Sequence, residues 1–237
     1  KGTLWHGLQK VWNEGIQKFT DKDLDRFDLH KLCMKWFYDN CPKEIETIEK
    51  LLIIKRFAEY RKKYPKINGK IVAVEQGFTK ELYRDAYVII VYEGMIDLLV
   101  QRPDGILTWT DYKTQHARYT WDLYPYSNQF LGYTWAVSNN HGIIDYTTWT
   151  QTINERTLRT RLHTYDNRRI ARWEEQTIEW AHNIVKTYIT EDFIETRSSC
   201  DGKYGLCPFT PICDIEPAFR DRVKKNEFNK VTPYRSW

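Results

Sequence analysis

Apolar residues recur at helical spacing over residues 3–19, where Leu4, Leu8, Val11, Trp12, Ile16 and Phe19 mark one face. A second helix is expected over 21–39, opened by Asp21 and rich in aromatics towards its end. A third follows Pro42, which suits a first helical turn, and runs through Ile45, Ile48, Leu52, Phe57 and Tyr60 to about Lys63. After the turn Pro65-Lys66-Ile67-Asn68-Gly69 the period changes from helical to strand-like. Residues 71–75, 87–92, 94–99 and 109–114 read as strands, β-branched or apolar and bounded by turn residues. Residues 121–138 return to a helical pattern, which Asn139-Asn140-His141-Gly142 breaks. A last strand is expected over 143–153, and a long helix over 166–189 with Ile170, Trp173, Trp180, Ile184 and Tyr188 inward. Beyond Glu191 the periodicity fades. The order predicts an α/β domain: a central mixed β-sheet flanked by helices, with a helical N-terminal part and a cysteine-containing C-terminal loop. The expected division is a core over 1–190 and an extension over 191–237 packed on it.

Polar residues inside the strand pattern carry the candidate chemistry. Gly94-Met95-Ile96-Asp97-Leu98-Leu99 and Trp109-Thr110-Asp111-Tyr112-Lys113-Thr114 are joined by Arg102-Pro103-Asp104-Gly105 and read as a hairpin. Side chains alternate along a strand, so Asp111 and Lys113 share a face, and Asp97 stands on the neighbouring strand. Charges in such surroundings are costly unless paired or engaged with a metal. Two carboxylates and an ammonium on one small sheet are therefore read as a divalent-metal site. Glu75 is a further acid on an apolar strand, and Gln129 and Tyr133, spaced i, i+4, share a helix face. Each residue also has a plainer reading. Asp97 could be a hairpin acid, Asp111 and Lys113 an ion pair, His6 a helix-surface histidine and Glu75 a solvated strand residue. Gln129 and Tyr133 could be ordinary helix residues.

In order, the chain shows Gly2-x-x-x-His6, Glu75, Gly94-x-x-Asp97, Asp111-Tyr112-Lys113-Thr114 and Gln129-x-x-x-Tyr133. This set resembles the PD-(D/E)xK nuclease superfamily, and within it the branch of RecB-type nuclease domains, Cas4-like exonucleases and phage exonucleases. The resemblance implies a restriction-endonuclease-like core and a metal-dependent DNA exonuclease of recombination, repair or end processing. It implies Mg²⁺ or Mn²⁺ held by Asp97, Asp111, the main-chain carbonyl of Tyr112 and His6, donors that suit hard divalent ions. Lys113 would act on the attacking water and the phosphate, Glu75 would orient His6, the metal or Lys113, and Gln129 and Tyr133 would hold the DNA backbone. An inactive nuclease-like DNA-binding module and a metal-stapled structural or interaction domain are the alternatives.

Composition changes the picture in two places. The net charge of +4 is small, so contact with DNA, single-stranded or with free ends, must come from a local patch. Arg156, Arg159, Arg161, Arg168, Arg169 and Arg172 supply one, with Arg168 and Arg169 as its expected contacts and Tyr119, Trp121 and Tyr124 as stacking partners, unless the run is a solvated face. Five cysteines are present, and Cys200, Cys207 and Cys213 cluster near the end of the chain. An odd count without a framework of regular spacings points away from a secreted disulfide scaffold and towards a cytoplasmic setting, or the nucleoid or host cytoplasm for a viral protein. In several members of the resembled branch such a Cys-Pro-x-x-x-x-Cys ending belongs to a four-cysteine [4Fe-4S] staple. Its first cysteine precedes the Gly-x-x-x-His segment, so the fourth ligand is expected upstream of the given sequence, or at Cys33 or Cys41. Zinc and three reduced thiols are the alternatives. No apolar run reaches the roughly 18–20 residues that cross a membrane. A helicase or recombination protein is the further expected partner.

Overall fold

The structure is a computed structural model and describes residues 2–19, 26–115, 126–138, 140–148, 158–190, 201–202, 205–207, 209–213 and 215–228. It divides into two compact units, residues 1–179 and 180–237.

The first unit opens with three helices, α1 (Gly2–Lys18), α2 (Arg26–Asn40) and α3 (Thr47–Lys63). α3 places Glu49 in its first turn and Arg61, Lys62 and Lys63 in its last, the arrangement that the helix dipole favours. Five strands follow, β1 (Lys70–Arg84), β2 (Ile89–Gln101), β3 (Leu107–Gln115), β4 (His141–Thr148) and β5 (Leu158–Thr164), with α4 (Asn128–Val137) between β3 and β4; α5 (Asn167–Thr190) begins after β5, and its residues from Trp180 on are counted with the second unit. The sheet order is β1-β2-β3-β4-β5. β3 and β4 are parallel and the other neighbours antiparallel, so the sheet is mixed as expected. The parallel pair is bridged by the crossover that contains α4.

The two hairpins are set by turn chemistry. Asp85 Oδ1 accepts from the backbone of Tyr87 and Val88, both at 2.7 Å, and turns β1 into β2. Gly105, at φ 83°, supplies the left-handed position that closes the β2–β3 turn. One apolar core lies between α1–α3 and the sheet, around Trp5, Leu8, Phe37, Ile53, Phe57, Leu98 and Tyr112. A second lies on the α4 and α5 side, around Ile96, Trp109, Phe130, Tyr133, Ile144 and Trp173. Among the described residues no helix is long and apolar enough to cross a membrane.

Several expected elements differ. The runs 87–92 and 94–99 are one strand, β2, because Gly94 stays extended beneath the ring of Phe78 instead of breaking the ladder. β1 continues to Arg84, well past Glu75. The run 143–153 ends as a described strand at Thr148, and Trp121 to Pro125 of the expected helix lie outside the described residues. β5 and the C-terminal helix α7 (Pro217–Glu227) were not anticipated. In α3, Ile48 is exposed, and Ile53 and Phe57 carry the contact. In α5, Trp173 is buried, but Trp180, Ile184 and Tyr188 are exposed rather than inward.

The second unit contains the short hairpin β6 (Asp201–Gly202) and β7 (Gly205–Leu206), the helical turn α6 (Thr210–Cys213), and α7. Phe209 stacks on Phe228 at 5.6 Å between ring centroids.

Candidate active site

The site forms where β2 parts from β3. Their ladder runs from Gln101–Leu107 to Leu98–Thr110 and stops. The next rung would pair Asp97 with Asp111. Instead the Asp97 side chain takes over, and its Oδ2 accepts the Tyr112 amide at 2.8 Å. A strand amide is an obligatory donor, so this bond fixes the Asp97 carboxylate at the edge of β3.

Asp97 also stands where β2 turns over. Ile96 packs in the second core and Leu98 in the first, although strict alternation would place both on one face. β1 does the same, with Val74 against the first core and Phe78 against the second. Between the rungs Val74–Leu98 and Gln76–Ile96 stand Glu75 and Asp97. Glu75 has φ 47°, a left-handed conformation uncommon for a residue with a Cβ.

α1 brings His6 to this rung. Its Nδ1 lies 3.4 Å from Asp97 Oδ2, and its ring stands edge-on to Tyr112. Burial by itself would lower the His6 pKa, but the hydrogen bond and charge of Asp97, with the charge of Asp111, leave it raised. Gly2 begins α1 against Thr114 of β3: a Cβ there would lie 3.1 Å from the threonine Oγ1.

Asp111 is almost wholly buried, 2% exposed. Burial pushes its pKa up to about 6; the neighbouring charges of Lys113 and His6 oppose the rise and that of Asp97 adds to it. Lys113 Nζ lies 2.7 Å from Asp111 Oδ2 and 5.3 Å from the centroid of the Phe130 ring. That buried oxygen nevertheless has no well-aligned hydrogen bond.

α4 supplies the other wall. Ser127 caps it by accepting from Phe130 N at 3.4 Å. Gln129 Nε2 lies 3.5 Å from Asp111 Oδ1 and donates to Tyr133 Oη at 2.8 Å. Tyr133 in turn donates to the Met95 carbonyl at 2.6 Å, and burial, then the charge of Asp111, raises its pKa. Gln129 and Tyr133 thus form a relay that ties Asp111 to β2. Gly132 permits this approach, because a Cβ there would fall 2.1 Å from Tyr92 Oη.

His6, Asp97, Asp111, Tyr112, Lys113, Gln129 and Tyr133 therefore come together. Glu75 is adjacent, and its described contact is an ion pair with Lys10 rather than with His6 or Lys113. Lys10 itself was missed by sequence reasoning, as was Asn13, which donates to Tyr112 Oη at 2.9 Å. Their one sequence signal is spacing, four and seven residues after His6 on α1, and it does not by itself mark either as part of the site. Arg168 and Arg169 lie outside this cluster: Arg168 faces solvent near Asp166, and Arg169 covers the Tyr126 ring at 4.4 Å. Arg156, Tyr119, Trp121, Tyr124 and Cys200 lie outside the described residues, as do the side chains of Arg159 and Arg161.

Among the described residues no group of three or more His, Cys, Asp or Glu side chains is gathered in metal-binding geometry. The acids are instead shared out, Asp97 to His6 and the Tyr112 amide, and Asp111 to Lys113.

A family model of the PD-(D/E)XK nuclease superfamily matches residues 11–214. The chain belongs to that superfamily. The match takes in Asp97, Asp111, Lys113, Gln129 and Tyr133 and begins after His6. No curated protein matches the chain. The crystal structure of SSO0001 is similar at 17% identity over 75% of this chain and 73% of that one, with a TM-score of 0.38. The superfamily membership points to nuclease activity on DNA with Mg²⁺ or Mn²⁺, and the mixed sheet with its flanking helices is the superfamily's core.

Among the four described cysteines, Cys33 is sealed in the first core near the Leu8 carbonyl, and burial pushes its thiol up to about 12. That position suits a packing residue and not a cluster ligand. Cys207 and Cys213 are free thiols on either side of the turn that α6 closes, where Thr210 N and Oγ1 bond the Cys207 carbonyl at 3.1 and 2.8 Å.

Proposed function

We propose that this chain is a divalent-metal-dependent deoxyribonuclease that removes nucleotides from DNA ends, in recombination, repair or end processing. The observation that carries it is the parting of β2 from β3, which sets Asp97, Asp111 and Lys113 together beside His6. The buried Asp111 oxygen, paired with Lys113 but without a well-aligned hydrogen bond, and an all-oxygen and imidazole donor set fit Mg²⁺ or Mn²⁺. Asp97, Asp111, the Tyr112 carbonyl and His6 would hold the ion. When bound, it would polarise the phosphate and lower the pKa of water. Lys113, released from Asp111, orients the attacking water and stabilises charge on the phosphoryl oxygens. Gln129, fixed through Tyr133, presents its amide beside the DNA backbone and keeps Asp111 in register. Incubation with linear and with covalently closed circular DNA tests the exonuclease reading. Linear DNA is degraded and circles survive; efficient cutting of circles would overturn it.

A second reading is favoured by the ion pair of Asp111 with Lys113 and the contact of His6 with Asp97. Those pairings would serve equally in a nuclease-like DNA-binding module that does not cut. Incubation with DNA and Mn²⁺ separates the two readings, since a folded protein that binds DNA and leaves it uncut is the inactive module.

The C-terminal thiols extend the proposal. Cys200, Cys207 and Cys213, with a fourth cysteine, would ligate a [4Fe-4S] cluster, for which clustered thiolates are the usual donors. Anaerobically prepared protein is then brown and carries iron and acid-labile sulfide. A colourless, iron-free and fully folded preparation would remove the cluster.

A further inference from the structure

α1 makes its contacts with the sheet at regular intervals. His6 reaches Asp97 on β2, Lys10 pairs with Glu75 on β1, and Gln17 Nε2 donates to the Val72 carbonyl of β1 at 3.0 Å. His6 and Lys10 are i, i+4 neighbours, so they stand side by side on the helix face. Their two acids stand side by side on the sheet, between the rungs Val74–Leu98 and Gln76–Ile96. One helical turn thus spans both acids of the rung at which the β1–β2 ribbon turns over.

That rung needs support. The left-handed backbone of Glu75 is sterically disfavoured, and such a conformation persists only where surrounding contacts over-determine it. The Lys10 ammonium is the contact described for its side chain. If Glu75 relaxed to an extended conformation, alternation along β1 would be restored. The faces of β2 would then have to follow, because the two strands share one ladder. Asp97 would move with them, away from the Tyr112 amide and His6.

We propose that Lys10 is a positioning residue, which holds Glu75 in its left-handed conformation and so fixes Asp97 and His6 as a pair of metal ligands. The inference rests on the metal-site reading of Asp97 and His6. It differs from a direct role of Glu75 on the metal in assigning the work to the ion pair.

The test uses Lys10→Met, Lys10→Arg, Glu75→Gln and the double variant Lys10→Met/Glu75→Gln. Two readouts do not depend on DNA cleavage: hydrogen exchange of the Tyr112 amide, and Mn²⁺ affinity by calorimetry. Lys10→Met and Glu75→Gln each speed Tyr112 exchange, while the amides of Leu99 and Gln101 are unchanged. Each weakens Mn²⁺ binding about 10- to 100-fold, the usual effect of losing an outer support of a metal ligand. The double variant is no worse than either single one, because both remove the same interaction. Lys10→Arg restores part of the loss. On DNA, kcat falls and KM does not. Should Lys10→Met fail to fold, Glu75→Gln carries the same measurements with the side-chain size kept. Wild-type Tyr112 exchange in the single variants overturns the proposal, and so does an additive double variant. A wild-type protein that binds Mn²⁺ but cuts no DNA would sink the nuclease reading and leave this inference to be judged on exchange and affinity. If the wild type bound no Mn²⁺, the metal-site reading would fall and this inference with it.

Discussion

Asp111 is a carboxylate placed where burial works against its charge. Its pKa rises from 3.8 to about 6, so the folded protein holds a proton that the unfolded chain has already lost over that interval. Stability of the metal-free protein therefore falls as pH rises from about 4 to about 6. His6, raised above 6.5, contributes stability that is full below that value and is lost as pH climbs through its folded pKa. Thermal melts in EDTA across this range check both; Asp111→Asn should abolish the lower window and narrow the upper one, because the Asp111 charge helps to raise the His6 pKa. Asp97, Asp111 and Lys113 were legible in the sequence because charges on an apolar strand are anomalous, and the order of motifs added His6, Gln129 and Tyr133. Lys10 and Asn13 were not. A lysine on a mixed-charge helix looks like a solvated residue, and no local rule says that an asparagine on the inner face will find Tyr112 Oη. The left-handed Glu75 was equally hidden, since it follows from pairing between strands and not from any preference of glutamate.

The strands and α4 position these residues, and their packing can be broken one element at a time. Trp109 is fully buried, stacks on Phe130 at 5.2 Å and donates from Nε1 to Thr134 Oγ1 at 3.1 Å, which fastens α4 to β3. Gly132→Ala would drive a methyl group into Tyr92 and lift α4 from the sheet. The expected cost is about 1–3 kcal/mol in chemical denaturation, the range for overpacking a filled core. DNA cleavage should fall at temperatures where the variant remains folded, because Gln129 loses its hold on Asp111. The long helices were located from periodicity, but α7 was missed and Trp180, Ile184 and Tyr188 of α5 were placed on the wrong side. The strands were read less well. Gly94 looked like a break, and only the Phe78 ring beneath it shows why the strand continues. β5 was passed over because arginines and threonines interrupt its apolar residues, a composition that an edge strand tolerates and a buried one does not. The exposed stripe of Trp180, Ile184 and Tyr188 has helical spacing, but spacing cannot say whether a partner covers it.

At the scale of the molecule, the family match and the mixed sheet agree on membership of the PD-(D/E)XK nuclease superfamily. What the sequence carried here was order: acids and lysine in a fixed succession along the sheet, followed by the glutamine–tyrosine pair on α4. The proposed path of DNA belongs to this scale too. Arg168, 93% exposed at its side chain, and Arg169, which lies over the Tyr126 ring, stand at the start of α5 and are the proposed phosphate contacts. Replacing both by Ala should weaken DNA binding in EDTA. It should also flatten the dependence of log K on log salt by about 0.7 to 0.9 for each phosphate that is no longer neutralised. Fluorescence anisotropy at two ionic strengths measures this, and unchanged affinity at both would remove these arginines from the path. The central claim is that Asp111 and Lys113 cut DNA together with a divalent ion. It is tested most directly with end-labelled single- and double-stranded DNA, Mg²⁺ or Mn²⁺, and wild type beside an identically prepared Lys113→Ala. Cleavage by the wild type, stopped by EDTA and reduced at least about 100-fold in the variant, is the predicted result. Equal cleavage by both proteins, or none by a folded, metal-loaded wild type, would contradict it.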